Sequence, residues 1–163
     1  MAEKDLNELF LETLKDIYYA EKHILKALPK MAKAANSDTV RSAFDKHCDE
    51  TEGQVERLEQ IFEMLGKPAR GKKCEAIEGI IDEGKEIMDE YADTQALDAG
   101  LLAAAQAVEH YEISRYGTLK AWAAKLNMPH AVKLLDATLA EEKKTDETLT
   151  KIAEKAVNYE AAA

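Results

Sequence analysis

The 163 residues are 46% hydrophobic and 33% charged with only 7 Gly and 3 Pro, which suits one folded domain over 1–163 and excludes collagen-like, low-complexity and wholly disordered classes. Thirty-two Asp and Glu against 22 Lys and Arg leave a net charge of −10, and no basic patch or tail offsets it, so neither nucleic acid nor an anionic membrane is an expected partner. Two cysteines, Cys48 and Cys74, no signal peptide and no apolar run near the roughly 20 residues a bilayer demands fit a reducing cytoplasm.

The first helical period runs from Leu6 to Ala35 and stops at Asn36-Ser37-Asp38, where Ser37 or Asp38 is expected to cap the next helix. The second runs from Thr39 to Leu65 and ends at Gly66-Lys67-Pro68, a glycine and proline that favour termination. After a polar stretch, a shorter segment from Cys74 to Tyr91 carries a narrow apolar face. Two further long helices, Asp98 to Leu126 and His130 to Val157, flank Asn127-Met128-Pro129, with Pro129 suited to a first helical turn. No β-type alternation competes. Two helical hairpins joined by a long crossover with an extra short helix describe an all-α four-helix bundle.

Placed at about 100° per residue, the apolar seams are interrupted by polar side chains. In the first helix Glu21 sits among Leu14, Ile17, Ile24, Leu28 and Met31. In the second, His47 and Gln54 lie inside a face set by Val40, Phe44, Thr51, Val55, Leu58 and Ile61, with Glu50 at its edge. The helix from Asp98 turns Glu109 and Glu112 inward with Leu101, Ala105, Val108 and Tyr116. The last helix carries Glu142 between Leu135 and Leu149, flanked by Thr145 and Asp146. Burying an ionised carboxylate costs several kcal/mol, so these groups require protons, cations or water. Glu21, Glu50, Glu109, Glu112 and Glu142 are therefore the expected ligands of up to two divalent metals at mid-bundle, iron or manganese by their preference for oxygen donors. His47, Gln54 and Asp146 are weaker candidates, and Tyr111 and Tyr116 are candidate hydrogen-bond donors to the ligating carboxylates.

The competing reading gives each carboxylate an internal salt bridge, with Arg115 as the internal cation. His23, His110 and His130 are expected to face solvent, and Cys48 and Cys74 to be small buried residues.

At the five glutamates the sequence resembles the ferritin-like superfamily, and Glu109-His110-Tyr111-Glu112 resembles the third helix of rubrerythrins. A more specific resemblance, carried by Asp16-Ile17-Tyr18-Tyr19-Ala20-Glu21-Lys22, Glu50-Thr51-Glu52-Gly53-Gln54, Val108 to Ile113 and Tyr116-Gly117-Thr118-Leu119, is to the YciE/YciF-type bacterial ferritin-like family. It implies a stress-associated homodimer with a ferritin-like bundle. The superfamily places histidines where this chain has Gly53 and Thr145. Three functional classes follow: a metal centre reacting with a small oxidant such as oxygen or peroxide, a metal-binding protein without turnover, and a structural helical dimer.

Overall fold

The structure, a computed structural model, describes residues 4–163. Its long helices are α1 (Leu6–Ala34), α2 (Asp38–Met64), α4 (Leu97–Lys125) and α5 (Pro129–Ile152), with the shorter α3 (Glu75–Glu90) in the crossover. A π-helical turn, Ala153–Val157, extends α5 into the short α6 (Asn158–Ala162). Among the described residues there is no strand. The expected all-α bundle is thus observed, with long-helix boundaries within about two residues of the sequence reading except where the π turn ends α5.

Each boundary has a local cause. The Asp5 carboxylate caps α1 by accepting from the Glu8 amide at 3.0 Å. α2 ends on Gly66, whose φ of +63° suits a residue without Cβ, and Lys67 N donates back to Phe62 O at 3.0 Å. Asn127, at φ +56°, does the same for α4, with Met128 N donating to Ala123 O; Pro129 opens α5. The α1–α2 turn departs from expectation. Ser37 occupies the cap position of α2 without a side-chain cap bond. Instead the buried Asp98 carboxylate, from the first turn of α4, accepts from the backbone amides of Asn36 and Ser37, both at 2.8 Å. A cap supplied from another helix is invisible to a local sequence rule.

α1 packs along α2 and α4 along α5; the hairpins meet through α1–α4 and α2–α5, and α3 lies across α1 and α4. The core is built from the seam residues, among them Leu14, Ile17, Phe44, Leu58, Leu101, Leu119 and Leu135. α3 joins it through Ile77. Gly100 permits a close α3–α4 approach, because a Cβ there would meet Ile87 Cγ2 at 2.6 Å.

Candidate metal centre

Both hairpins contribute to one polar cluster inside this core. The first supplies Glu21 from α1 and His47 from α2; the second supplies Glu109 and Glu112 from α4 and Glu142 from α5. The four glutamates are completely buried and His47 is 3% exposed. One ligand atom each from His47, Glu109, Glu112 and Glu142 lie within 4.8 Å of one another. Glu21 adjoins them: its Oε1 accepts from Tyr116 at 2.7 Å, and its carboxyl lies within proton-sharing reach of Glu112.

The hydrogen-bond inventory singles this cluster out. Among the described residues, the nine buried side-chain nitrogen and oxygen atoms without a partner all belong to Glu21, His47, Gln54, Glu109, Glu112 and Glu142. Such orphans are rare in native interiors and costly. His47 Nε2 lies 2.7 Å from Glu109 Oε1, but without the alignment of a hydrogen bond. Among the described residues no Lys or Arg forms an ion pair with any of the four glutamates. Arg115 instead lies over the Tyr111 ring at 5.2 Å, so the internal cation expected from the sequence does not reach the cluster.

Electrostatics follow from burial without a counter-cation. Desolvation, reinforced by Glu142, pushes Glu109 up to about 12 and holds Glu112 well above the usual carboxylate range. Glu21 is pushed up to about 7 by burial, moderated by the adjoining Glu112 carboxyl and by the hydrogen bond from Tyr116. Burial lowers His47, favouring the neutral imidazole that binds metals. With no cation present, the cluster therefore retains protons. Four carboxylates stripped of those protons match the charge of two divalent ions, and oxygen donors with one imidazole suit iron or manganese. On orphaned atoms, charge and donor type, the residues fit a metal.

The remaining sequence candidates lie around this centre. Gln54 is buried and donates to Glu142 Oε1 and, at 3.1 Å, to Glu141 Oε2. Glu50 stands at the rim, 25% exposed, accepting from Thr145 Oγ1 at 3.1 Å with Lys46 Nζ at 3.9 Å. Asp146 pairs with His110 at 3.1 Å and accepts from Gln106 at 3.2 Å. Tyr111 contacts Cys74 Sγ through its hydroxyl at 3.0 Å rather than a cluster carboxylate. His23, expected to face solvent, is half-buried and stacked on Tyr19, with ring centroids 3.9 Å apart. Cys74 is buried and Cys48 half-buried. The sequence reading missed the support behind Glu142: Arg57 grips Glu141 at 2.6 and 2.9 Å and donates to Thr138 at 3.1 Å. Its only sequence signal is an arginine one turn beyond Gln54 on α2, opposite an acidic pair on α5.

Two helical hairpins closed around a buried carboxylate cluster define a ferritin-like bundle. Residues 5–162 match the family described as "Domain of unknown function (DUF892)", and the chain belongs to that family. It is 43% identical to Protein YciF of Escherichia coli K12 over 159 residues, 97% of this chain and 96% of that protein. The structure of the E. coli stress protein YciF superposes with a TM-score of 0.91, covering 96% of this chain and 99% of that one. YcfI from Rhodopseudomonas palustris, 46% identical, gives 0.88 over 90% and 94% of the two chains. A ferritin-like, diiron-carboxylate protein from Bacillus anthracis shares the fold at 19% identity, with a TM-score of 0.68 over 93% and 99%.

Proposed function

We propose that this chain is a stress-associated, metal-binding ferritin-like protein, cytoplasmic and homodimeric, folded as one domain over 1–163. Glu21, His47, Glu109, Glu112 and Glu142 hold up to two divalent ions, iron or manganese. The observation that carries this reading is the confinement, among the described residues, of all nine orphaned buried polar atoms to one cluster whose glutamates have no Lys or Arg partner. Stress association rests on the likeness to YciF. A redox-active metal in this pocket would supply reactivity toward oxygen or peroxide, while the chain's own groups orient the ligands: Tyr116 donates to Glu21, and Gln54, backed by Glu141 and Arg57, donates to Glu142. Glu50 lies outside this donor set.

The test is thermal unfolding with and without manganese or ferrous iron. An ion that binds only the folded state at 100 times its Kd stabilises it by about 2.7 kcal/mol, or roughly 5–10 °C in Tm for a chain of this size. Glu142→Ala should abolish that increment. No metal-dependent shift in the unaltered protein would overturn the reading and leave a structural bundle whose core carboxyls hold protons. Light scattering tests the dimer.

A further inference from the structure

Beside the metal centre, where α3 crosses α1 and α4, lies a cavity of about 160 Å³. Gly84 of α3 and Ala104 and Ala105 of α4 keep it open where larger side chains would close it. Its titratable lining residues are His23, Lys26, Lys30, His47 and Lys85. All are nitrogen bases, in a chain with ten more acidic than basic residues. The three lysines are exposed and mark the mouth; Lys85 has only the exposed Asp82 at 3.4 Å, and Lys26 and Lys30 have no carboxylate ion-pair partner among the described residues. His47 closes the inner end, 3% exposed, with neither ring nitrogen hydrogen-bonded.

We propose that this cavity binds a small amphiphilic anion, an aromatic or branched carboxylate of benzoate size, with its apolar body between α1, α3 and α4 and its carboxylate at Lys26, Lys30 and Lys85. Volume supports the body: an apolar cavity of about 150 Å³ accommodates benzene. Charge supports the head, since the lysine mouth attracts a carboxylate and no acidic side chain is among the described lining residues. Charge also disfavours a second copy of the chain as occupant, because a two-fold contact here would bring two lysine mouths together. The site does not depend on metal, so its failure and that of the metal reading are separable.

The experiment is calorimetric titration of the metal-free full chain with benzoate and with neutral benzyl alcohol. Both should bind, and only benzoate should weaken with added salt. Lys26→Glu/Lys30→Glu should weaken benzoate about tenfold or more, the scale of losing charge-assisted contacts, and leave benzyl alcohol unchanged. Gly84→Leu should abolish uptake of both. Where that variant fails to fold, Gly84→Ala, whose added methyl meets only Ala104 Cβ at 3.6 Å, should weaken both while keeping the helical circular dichroism. Benzoate binding unchanged in the Gly84 variant, or equal losses for both ligands on charge reversal, would overturn the proposal. No uptake by an unaltered protein that light scattering shows to be dimeric would overturn it in favour of a second copy covering the cavity.

Discussion

His47 and Glu50 lie one turn apart on α2 and make opposite predictions. His47 reaches the buried cluster, whereas Glu50 is at the rim beside Lys46 and Thr145. Even residues that merely orient ligands cost about 10–100-fold in metal affinity when replaced, so His47→Ala should weaken manganese binding at least that much. Glu50→Ala should leave it within a few-fold, as titration of each variant would show. The protonated carboxyls make a second prediction. Glu21 and Glu109 hold protons in the fold up to about pH 7 and about pH 12, but release them near 4.5 when unfolded. Between those values the folded state binds more protons, so their contribution is complete below about pH 4.5 and is lost as pH rises. The metal-free protein should therefore lose stability as pH rises from 5 to 7, measured by urea unfolding. Saturating manganese should flatten or reverse that slope, because ligation replaces the protons. Burial of Glu21, Glu109, Glu112 and Glu142 was legible from helical phase, since each interrupts an apolar seam. Phase likewise puts His47 inside the α2 face and Glu50 at its edge, and it is the family resemblance that ranks Glu50 above His47 as a ligand. The spacing Phe44, His47, Thr51, Gln54, Leu58, Ile61, all buried, defines the seam that leaves Glu50 on its flank.

At the scale of elements, the four long helices and the crossover helix could be read from the sequence because apolar period and breakers agree at the turns between them, the π turn that ends α5 being the exception. What could not be read was contact between elements. Asp98 looks like an ordinary acidic residue in the first turn of α4, yet it ties the α1–α2 turn to the second hairpin through two amides at 2.8 Å. Its replacement removes both bonds at once. Asp98→Ala should destabilise the fold by about 2 kcal/mol, the scale of hydrogen bonds to a charged group, measured as a lower urea midpoint with unchanged slope. The Arg57–Glu141 pair behind Gln54 was hidden for the same reason: phase identifies a face, not the neighbour across it.

For the molecule as a whole, the decisive feature is that neither hairpin owns the buried His/Glu cluster. Glu21 and His47 arrive with the first, and Glu109, Glu112 and Glu142 with the second. The complete cluster therefore exists only after the hairpins have docked, late on any folding route that forms local helices first. A metal held there would act as a latch on the finished structure and not as a nucleus for it. In stopped-flow experiments, manganese at 100 times its Kd should slow unfolding about a hundredfold while leaving the refolding rate nearly unchanged. The ion would then set how long the assembled protein persists, and a metal-starved cell would see the same chain form as quickly but last less well.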